Sequence, residues 1–212
     1  QAAGASGAAG VLLMPPYFYR YSREEIRTFY EKFAANTDLS IPILVYNIPQ
    51  FGNPVPADLS LEMLTAGIVH GVKDSAPSAD GLRMLSRARQ SQPFPLFVGN
   101  DSLFIEAFGW GVSGAISGVA SAVPELLVAL GKALTSGSKE RVSTFAARLH
   151  EFISWIEKFP VPVGIREATC LRGLPLGPNA SPASPEAKLL LEEFREWFRP
   201  WLKAVVAETR IA

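Results

Sequence analysis

Five short apolar runs, Val11–Met14, Ile43–Tyr46, Ile68–Lys73, Leu96–Gly99 and Ala115–Val119, begin 19 to 32 residues apart. None alternates strictly between apolar and polar residues, which is the pattern of strands buried on both faces of a parallel sheet. Most of the gaps carry helical signals. Ser22-Arg23-Glu24-Glu25 is a capping box, with Ile26, Phe29, Tyr30 and Phe33 at helical spacing behind it. Asp58 and Ser60 are candidate caps for a helix through Leu64; residues 80–90 read as another; Asp101 is a candidate cap for a helix through Phe108. Strand and helix repeated with short links restrict the fold class to α/β: a doubly wound open sheet or a barrel of the (β/α)8 type.

Beyond residue 122 the strand signals stop. Residues 123–135 and 139–158 read as helical throughout, and a Pro/Gly-rich segment including GLPLGPNASPASP follows. Ser184-Pro185-Glu186 then opens a last helix, with serine as cap and proline at the first helical position. At the other end, Gln1–Gly10 is small and Ala/Gly-rich and reads as the end of a helix.

Charge narrows the partners. Twenty basic and 20 acidic residues leave no net charge, so no basic stripe points to nucleic acid and no polybasic cluster to a membrane surface. Every apolar run breaks before the ~18 residues a membrane span needs, and the N-terminus lacks the basic region of a signal peptide. The one cysteine, Cys170, excludes an internal disulfide framework, and the expected compartment is the reducing cytoplasm. Two histidines and one cysteine are too few for a zinc site, so no metal is expected.

The reactive side chains end the runs. Tyr46 closes the second and Lys73 the third, and parallel α/β folds gather functional groups at the carboxyl ends of their strands. A lysine in such a mouth is desolvated, which favours the neutral amine. That is the form that attacks a carbonyl to make a Schiff base, and a neighbouring phenol can relay the protons. Position alone favours two blander roles: a lysine snorkelling to water and a core tyrosine with a bonded hydroxyl.

The wording of the motifs goes further. YNIP at 46–49, the lysine of VKDS 27 residues after the tyrosine, GND at 99–101 and GAISGVAS at 114–121 stand in that order. Together they resemble the dihydrodipicolinate synthase / N-acetylneuraminate lyase family, from about Gly7 to about Leu174. GAAGVLLMPPYFYRYS resembles that family's fourth barrel strand and following loop. The resemblance implies a (β/α)8 TIM-type barrel, of which residues 1–122 would hold strands 4 to 8. Residues 123–212 would then hold the last barrel helix and a C-terminal helical extension. It implies a class I aldolase or lyase, with pyruvate as one component of a reversible aldol reaction. No cofactor is implied, because the protonated imine is itself the electron sink. A homo-oligomer, often a tetramer, is implied too. By the same match Lys73 is the Schiff-base lysine and Tyr46 the proton-relay tyrosine. Ser75 would contact substrate through its hydroxyl, Gly99 and Asp101 would bind the substrate's polar tail, and Ile116, Ser117 and Gly118 would line the pocket.

Three departures shape the expectation. The family's Gly-Thr-Thr-Gly-Glu-type motif does not occur, so by the match about three βα units, on the order of 80–90 residues, are missing. Phe51 stands where dihydrodipicolinate synthases place an arginine for a carboxylate, and a phenyl ring cannot pair with one. Phe18 stands where many members carry a second tyrosine that reaches into a neighbouring subunit. Phe18 and Phe51 favour a substrate such as a 2-keto-3-deoxy sugar acid over dihydrodipicolinate synthase proper. A non-catalytic half-barrel acting as an interaction module is the rival reading. A flavodoxin-like open sheet is disfavoured by the aromatic, proline-rich first loop.

Other signals carry less. Gly109-Trp110-Gly111-Val112-Ser113-Gly114 satisfies a dinucleotide fingerprint, but a helix precedes it and a strand follows, the reverse of what that site needs. His70 is expected to be a satisfied strand histidine, His150 a surface residue of a helix, Cys170 a buried thiol, and Asp74 a local hydrogen-bonding group pointing away from the mouth. The aromatic residues of the last helix are expected to pack.

Overall fold

The computed structural model describes residues 2–36 and 41–210, so Gln1 lies outside the described residues. The chain divides into two compact units, Gln1–Ile116 and Ser117–Ala212, and each is described by itself.

In the first unit α1 (Ala2–Ala5) precedes a parallel sheet of β1 (Val11–Leu13), β2 (Ile43–Asn47), β3 (Gly71–Asp74), β4 (Leu96–Val98) and β5 (Gly114–Ala115). The strands lie side by side in sequence order. The connecting helices are α2 (Arg23–Asn36), α3 (Ala57–Thr65), α4 (Ala79–Ala88) and α5 (Phe104–Gly109). Helix α2 begins as the sequence predicts: Glu25 Oε2 accepts from the Ser22 N–H at 2.7 Å, and Ser22 Oγ accepts from the Glu25 N–H at 3.3 Å. Ser78 caps α4 through the Asp80 N–H at 3.2 Å. Ile26 and Tyr30 of α2, Leu59 and Met63 of α3, and Leu82 and Leu85 of α4 form buried stripes at helical spacing. All pack on one sheet face, made of Val11, Leu13, Ile43, Val45, Val72, Leu96 and Val98.

That arrangement decides between the two α/β architectures. A doubly wound sheet has helices on both faces and a strand order that reverses at a switch point. Here the order is sequential and the helices share one core with one face. The sheet is singly wound, as the strands of a β/α barrel are. Its other face carries Leu12, Leu44, Tyr46, Gly71, Lys73 and Phe97, linked rung by rung across the register.

Several expected boundaries moved, each for a local reason. Ile68–His70 is not strand: the Ile68 N–H bonds the Met63 carbonyl at 2.9 Å and so wraps the end of α3. Val119 begins helix α6 (Val119–Ala122) instead of ending a strand, because Ser117 Oγ accepts from the Ala120 N–H at 3.1 Å. Neither Asp58 nor Ser60 caps α3. The helix starts behind extended Pro56; Asp58 pairs with Arg23 at 3.0 Å, and the Ser60 hydroxyl donates back to the Pro56 carbonyl at 3.2 Å. Asn100, not Asp101, caps the 3-10 turn Asp101–Leu103 ahead of α5, through the Ser102 N–H at 3.1 Å. Gly109–Gly114 connects α5 to β5, helix to strand, as its context requires.

The second unit is helical: α6, α7 (Pro124–Ser136), α8 (Lys139–Ile156), α9 (Val163–Leu171) and α10 (Pro185–Arg210). Ser184 Oγ accepts from the Ala187 N–H at 3.2 Å and starts α10 as predicted. Phe152 of α8 stacks on Trp201 of α10 at 5.4 Å, and Phe194 on Phe198 at 5.4 Å, so the aromatic residues of the last helix pack inside their own unit. Helix α9 falls in the segment that the sequence reads as Pro/Gly-rich, where no helix is predicted. It turns Gly164, Ala168 and Thr169 inward, which leaves Cys170 on the outside. The expectation of a buried thiol is therefore corrected: Cys170 is exposed. His150 is exposed on α8, as expected. Among the described residues no helix is long and apolar enough to cross a membrane.

Candidate active site

Tyr46 and Lys73 are paired across β2 and β3, one residue before the end of each strand. Successive strand residues point to opposite faces, so partners in register share a face. The Lys73 Nζ stands 3.9 Å from the centroid of the Tyr46 ring. Lys73 is 8% exposed, although most lysines reach solvent. Two residues on, on the same face, Ser75 is 7% exposed and its Oγ has no hydrogen-bond partner. A buried hydroxyl left unpaired costs about 1–3 kcal/mol, so it stands out as a group with a job to do.

Gly99 closes this corner from β4. A Cβ there would lie 2.0 Å from Ser75 Oγ and 2.6 Å from Lys73 Cε, so the two side chains lie directly on the glycine backbone. Backbone bonds extend the sheet past its strand ends: the Ser75 N–H donates to the Asn47 carbonyl at 2.8 Å, and the Gly99 N–H to the Asp74 carbonyl at 2.7 Å. Asn100 Nδ2 reaches the Ala76 carbonyl at 3.2 Å and Gln50 Nε2 the Ser75 carbonyl at 3.3 Å. The loop that ends each strand is thereby tied to its neighbour.

The loop after β1 is stapled to the loop after β2 by one buried residue. Asn53 Oδ1 accepts from the Tyr21 N–H at 3.0 Å, and its Nδ2 donates to the carbonyls of Pro16 at 2.6 Å and Tyr19 at 2.8 Å. Between those anchors Phe18 is held at φ +76°, a conformation costly for a bulky residue, and is 87% exposed. Tyr19 packs edge-on against Phe18 at 5.0 Å. Beneath, the Tyr30 hydroxyl donates to the Leu13 carbonyl at 2.8 Å, and burial pushes its pKa up. A surface cavity of about 210 Å³ lies between the two loops, lined by Phe18, Tyr19, Arg20, Gln50, Phe51 and Asn53.

Asp74 points to the helix-covered face, as alternation predicts. Its Oδ1 accepts from Asn47 Nδ2 at 3.0 Å and from the Ala76 N–H at 2.9 Å. Burial pushes its carboxyl above the ordinary carboxylate range, against the opposing pull of the Ala76 and Asn47 hydrogen bonds. The native state thus holds this proton more tightly than the unfolded chain does. The stabilisation is complete below the ordinary carboxylate pKa and is lost as pH rises through the raised one. Asp74→Asn keeps both acceptor contacts and does not titrate. It is expected to raise the melting temperature at neutral pH, by about 2–4 °C per kcal/mol relieved. The gap from the unsubstituted protein should close as the pH falls toward 4; melting curves across pH check this.

The remaining predicted residues are placed as follows. Asp101 lies in the 3-10 turn after β4, and the Ile116 N–H donates to the Val98 carbonyl at 3.0 Å while its side chain is 37% exposed. Ser117 and Gly118 open the second unit, where Ser117 caps α6 and a Cβ on Gly118 would lie 2.8 Å from Ile165 Cδ1. His70 sits just before β3, exposed, with its Nδ1 accepting from the Ile43 N–H at 3.2 Å; it is satisfied, as expected, but not mid-strand. Among the described residues no three His, Cys, Asp or Glu side chains are grouped to hold a metal ion. The sequence reading missed Asn47 and Asn53; the first stands inside YNIP, and nothing at sequence level marks the second.

Fold and site together define a singly wound β/α protein that presents a buried lysine and a tyrosine at the carboxyl ends of adjacent strands. The chain belongs to the dihydrodipicolinate synthetase family, whose sequence model matches residues 1–198. It is 33% identical over 185 residues to an uncharacterised DapA-like lyase of Halobacterium salinarum, covering 85% of this chain and 58% of that protein. It is 28% identical over 204 residues to an N-acetylneuraminate lyase of Rhizobium meliloti, covering 95% of this chain and 66% of the relative. The chain therefore spans less than two-thirds of the length of these relatives. Its fold matches that of YagE, an E. coli K12 prophage protein of the dihydrodipicolinic acid synthase family solved in complex with pyruvate. The TM-score is 0.80 at 24% identity, over 93% of this chain and 68% of that one.

Proposed function

We propose that this chain carries the imine-forming lysine of a class I lyase that joins pyruvate to an aldehyde or releases it from the product. The observation that carries the reading is the Lys73 nitrogen over the Tyr46 ring, beside the unpartnered Ser75 hydroxyl. The Lys73 amine adds to C2 of pyruvate, and loss of water gives the imine. The protonated imine draws electrons from C3, a methyl proton leaves, and the enamine attacks the aldehyde carbon. The aldehyde oxygen takes up a proton, and water hydrolyses the product imine to restore the amine. Tyr46 moves protons to and from the carbinolamine and the substrate.

The substrate class is read from two rim positions and one buried hydroxyl. Phe51 and Phe18 offer no charge or hydroxyl, whereas Ser75 offers a buried hydroxyl to a hydroxyl of the substrate chain. Gly99 and Asp101 hold the polar tail, and Ile116 walls the pocket. A 2-keto-3-deoxy sugar acid or related 2-oxo acid fits this better than the substrate of a 4-hydroxy-tetrahydrodipicolinate synthase, the alternative within the family. Relatives of both names are similar to this chain, the N-acetylneuraminate lyase of Rhizobium meliloti and 4-hydroxy-tetrahydrodipicolinate synthases such as that of Moorella thermoacetica, so the choice rests on the rim residues.

One feature bears on the rival reading of a non-catalytic module. The open sheet face exposes 39% of Leu12 and 37% of Ile116, and among the described residues β1 and β5 are each paired on one side only. Open apolar edges are a liability for a free-standing module. We infer instead that residues 1–122 are closed into a (β/α)8 barrel by three further β/α units, in a longer chain or a partner. Residues 123–212 then supply the last helix and the extension. The exposed Tyr17, Phe18 and Tyr19 suit a homo-oligomer contact, such as that of a tetramer.

Borohydride reduction of the full-length protein with pyruvate, followed by peptide mass mapping, tests the reading. A reduced pyruvyl adduct on Lys73 is expected; a folded full-length protein that traps none would overturn it.

A further inference from the structure

We infer that Asn47 and Asp74 are a positioning pair that holds Tyr46, Lys73 and Ser75 in working geometry from behind the sheet. The inference rests on the imine-forming reading and adds to it two residues that touch no substrate.

The pair occupies the last rung of the β2–β3 ladder, directly after the rung that joins Tyr46 to Lys73. Beyond it the two strand ends are joined along the backbone by the Ser75 N–H on the Asn47 carbonyl at 2.8 Å, and the Asn47–Asp74 bond is the side-chain tie on the helix-covered face. Asp74 Oδ1 takes the Asn47 Nδ2 hydrogen at 3.0 Å and the Ala76 N–H at 2.9 Å, so one oxygen fixes both the partner strand and the backbone on the far side of Ser75. Asn47 Oδ1 in turn accepts from the Val55 N–H at 3.0 Å and anchors the loop that follows Tyr46. Tyr46 precedes Asn47, and Asp74 lies between Lys73 and Ser75. A rotation of either strand end would therefore displace the phenol, the amine and the hydroxyl together.

Packing alone does not hold this pair. A cavity of about 160 Å³ lies against it, lined by Val55, Ser60, Asp74, Ser78, Gly81 and Leu85. Yet Asn47 is only 8% exposed and Asp74 4%, so bulk water competes little for their hydrogen bonds. Bonds to a carboxyl in such a place are strong and directional. An ordinary core aliphatic pair would fill the space but leave the strand ends free to twist.

The test uses the full-length protein and two measurements made at saturating pyruvate. Borohydride trapping counts imine. Exchange of the pyruvate methyl protons with deuterium, followed by NMR, reports the proton transfer that needs Tyr46 placed against the imine. Asn47→Asp sets two carboxylates against each other. It is expected to lower exchange per trapped imine by up to about 100-fold, the cost of a displacement near 1 Å at a reacting group. The swap Asn47→Asp/Asp74→Asn rebuilds the bond between the two side chains with donor and acceptor reversed, gives up the Ala76 bond to the same atom, and should recover part of that loss. Asp74→Ala removes both bonds without repulsion and must show the same split if Asn47→Asp does not fold. Loss of trapping and exchange in equal measure would mark a merely structural pair and overturn the proposal. So would wild-type exchange in both single variants, or a folded swap variant without recovery. An unsubstituted protein that traps no pyruvate overturns the imine reading itself, and this inference with it.

Discussion

Replacing Lys73 with arginine is expected to abolish the pyruvate adduct and to lower turnover by on the order of 10⁴-fold or more, the scale of removing a covalent nucleophile. Arginine is of similar length but holds its proton in any protein setting, so it has no lone pair for a carbonyl. The fold should survive. The backbone pairing of β3 with β2 and β4 is independent of the side chain, whose nearest described ring contact is Tyr46 at 3.9 Å. The variant should therefore melt close to the unsubstituted protein while mass mapping finds no adduct. Trapping that persists at another lysine would sink the assignment of Lys73. Turnover that persists without any adduct would sink the imine mechanism.

How far the sequence reached depends on where each signal originates. Val45 and Leu96 are buried in unbroken apolar runs, so their strands were readable from local composition. Helix α2 was readable because its cap is contained in four consecutive residues. The edges of β3 and β5 were not readable. Ile68 belongs to the end of α3 through a backbone bond, and Val119 to a helix started by Ser117, and neither bond leaves a mark on hydrophobicity. Helix α3 misled for the opposite reason. Asp58 and Ser60 have the chemistry of caps, but Arg23 claims the first and the Pro56 carbonyl the second. At the site, the motif wording located Tyr46, Lys73 and Ser75. The residues that hold them could not be found that way. Asn47 bonds 27 positions away and Asn53 reaches back as far as 37, so their work exists only once the strands are side by side.

Gly99→Ala should separate geometry from stability most sharply. The added methyl would stand 2.0 Å from Ser75 Oγ and 2.6 Å from Lys73 Cε, where ordinary carbon contacts need about 3.5–4 Å. The backbone does not forbid it, since Gly99 is not among the glycines with positive φ. Both obstructing atoms sit on side chains that can turn away, so the expected stability loss is at the low end of the about 1–3 kcal/mol that overpacking costs. Turning away is what the chemistry cannot tolerate. Cε carries the nucleophilic nitrogen, and a shift near 1 Å costs a reacting group roughly 100-fold. Turnover should fall by at least that factor, and the rate of pyruvate trapping should fall with it. Gly71→Ala is the control from the same face of the sheet. Its methyl would meet the Pro95 carbonyl oxygen at 2.7 Å, a backbone atom that cannot rotate aside, so β3 and β4 must part. That variant should lose melting temperature first and activity only as the fold is lost. Gly99→Ala should lose activity with its melting curve nearly intact. A Gly99→Ala protein that traps pyruvate at the unsubstituted rate would show that Lys73 does not work from the position it occupies against Gly99.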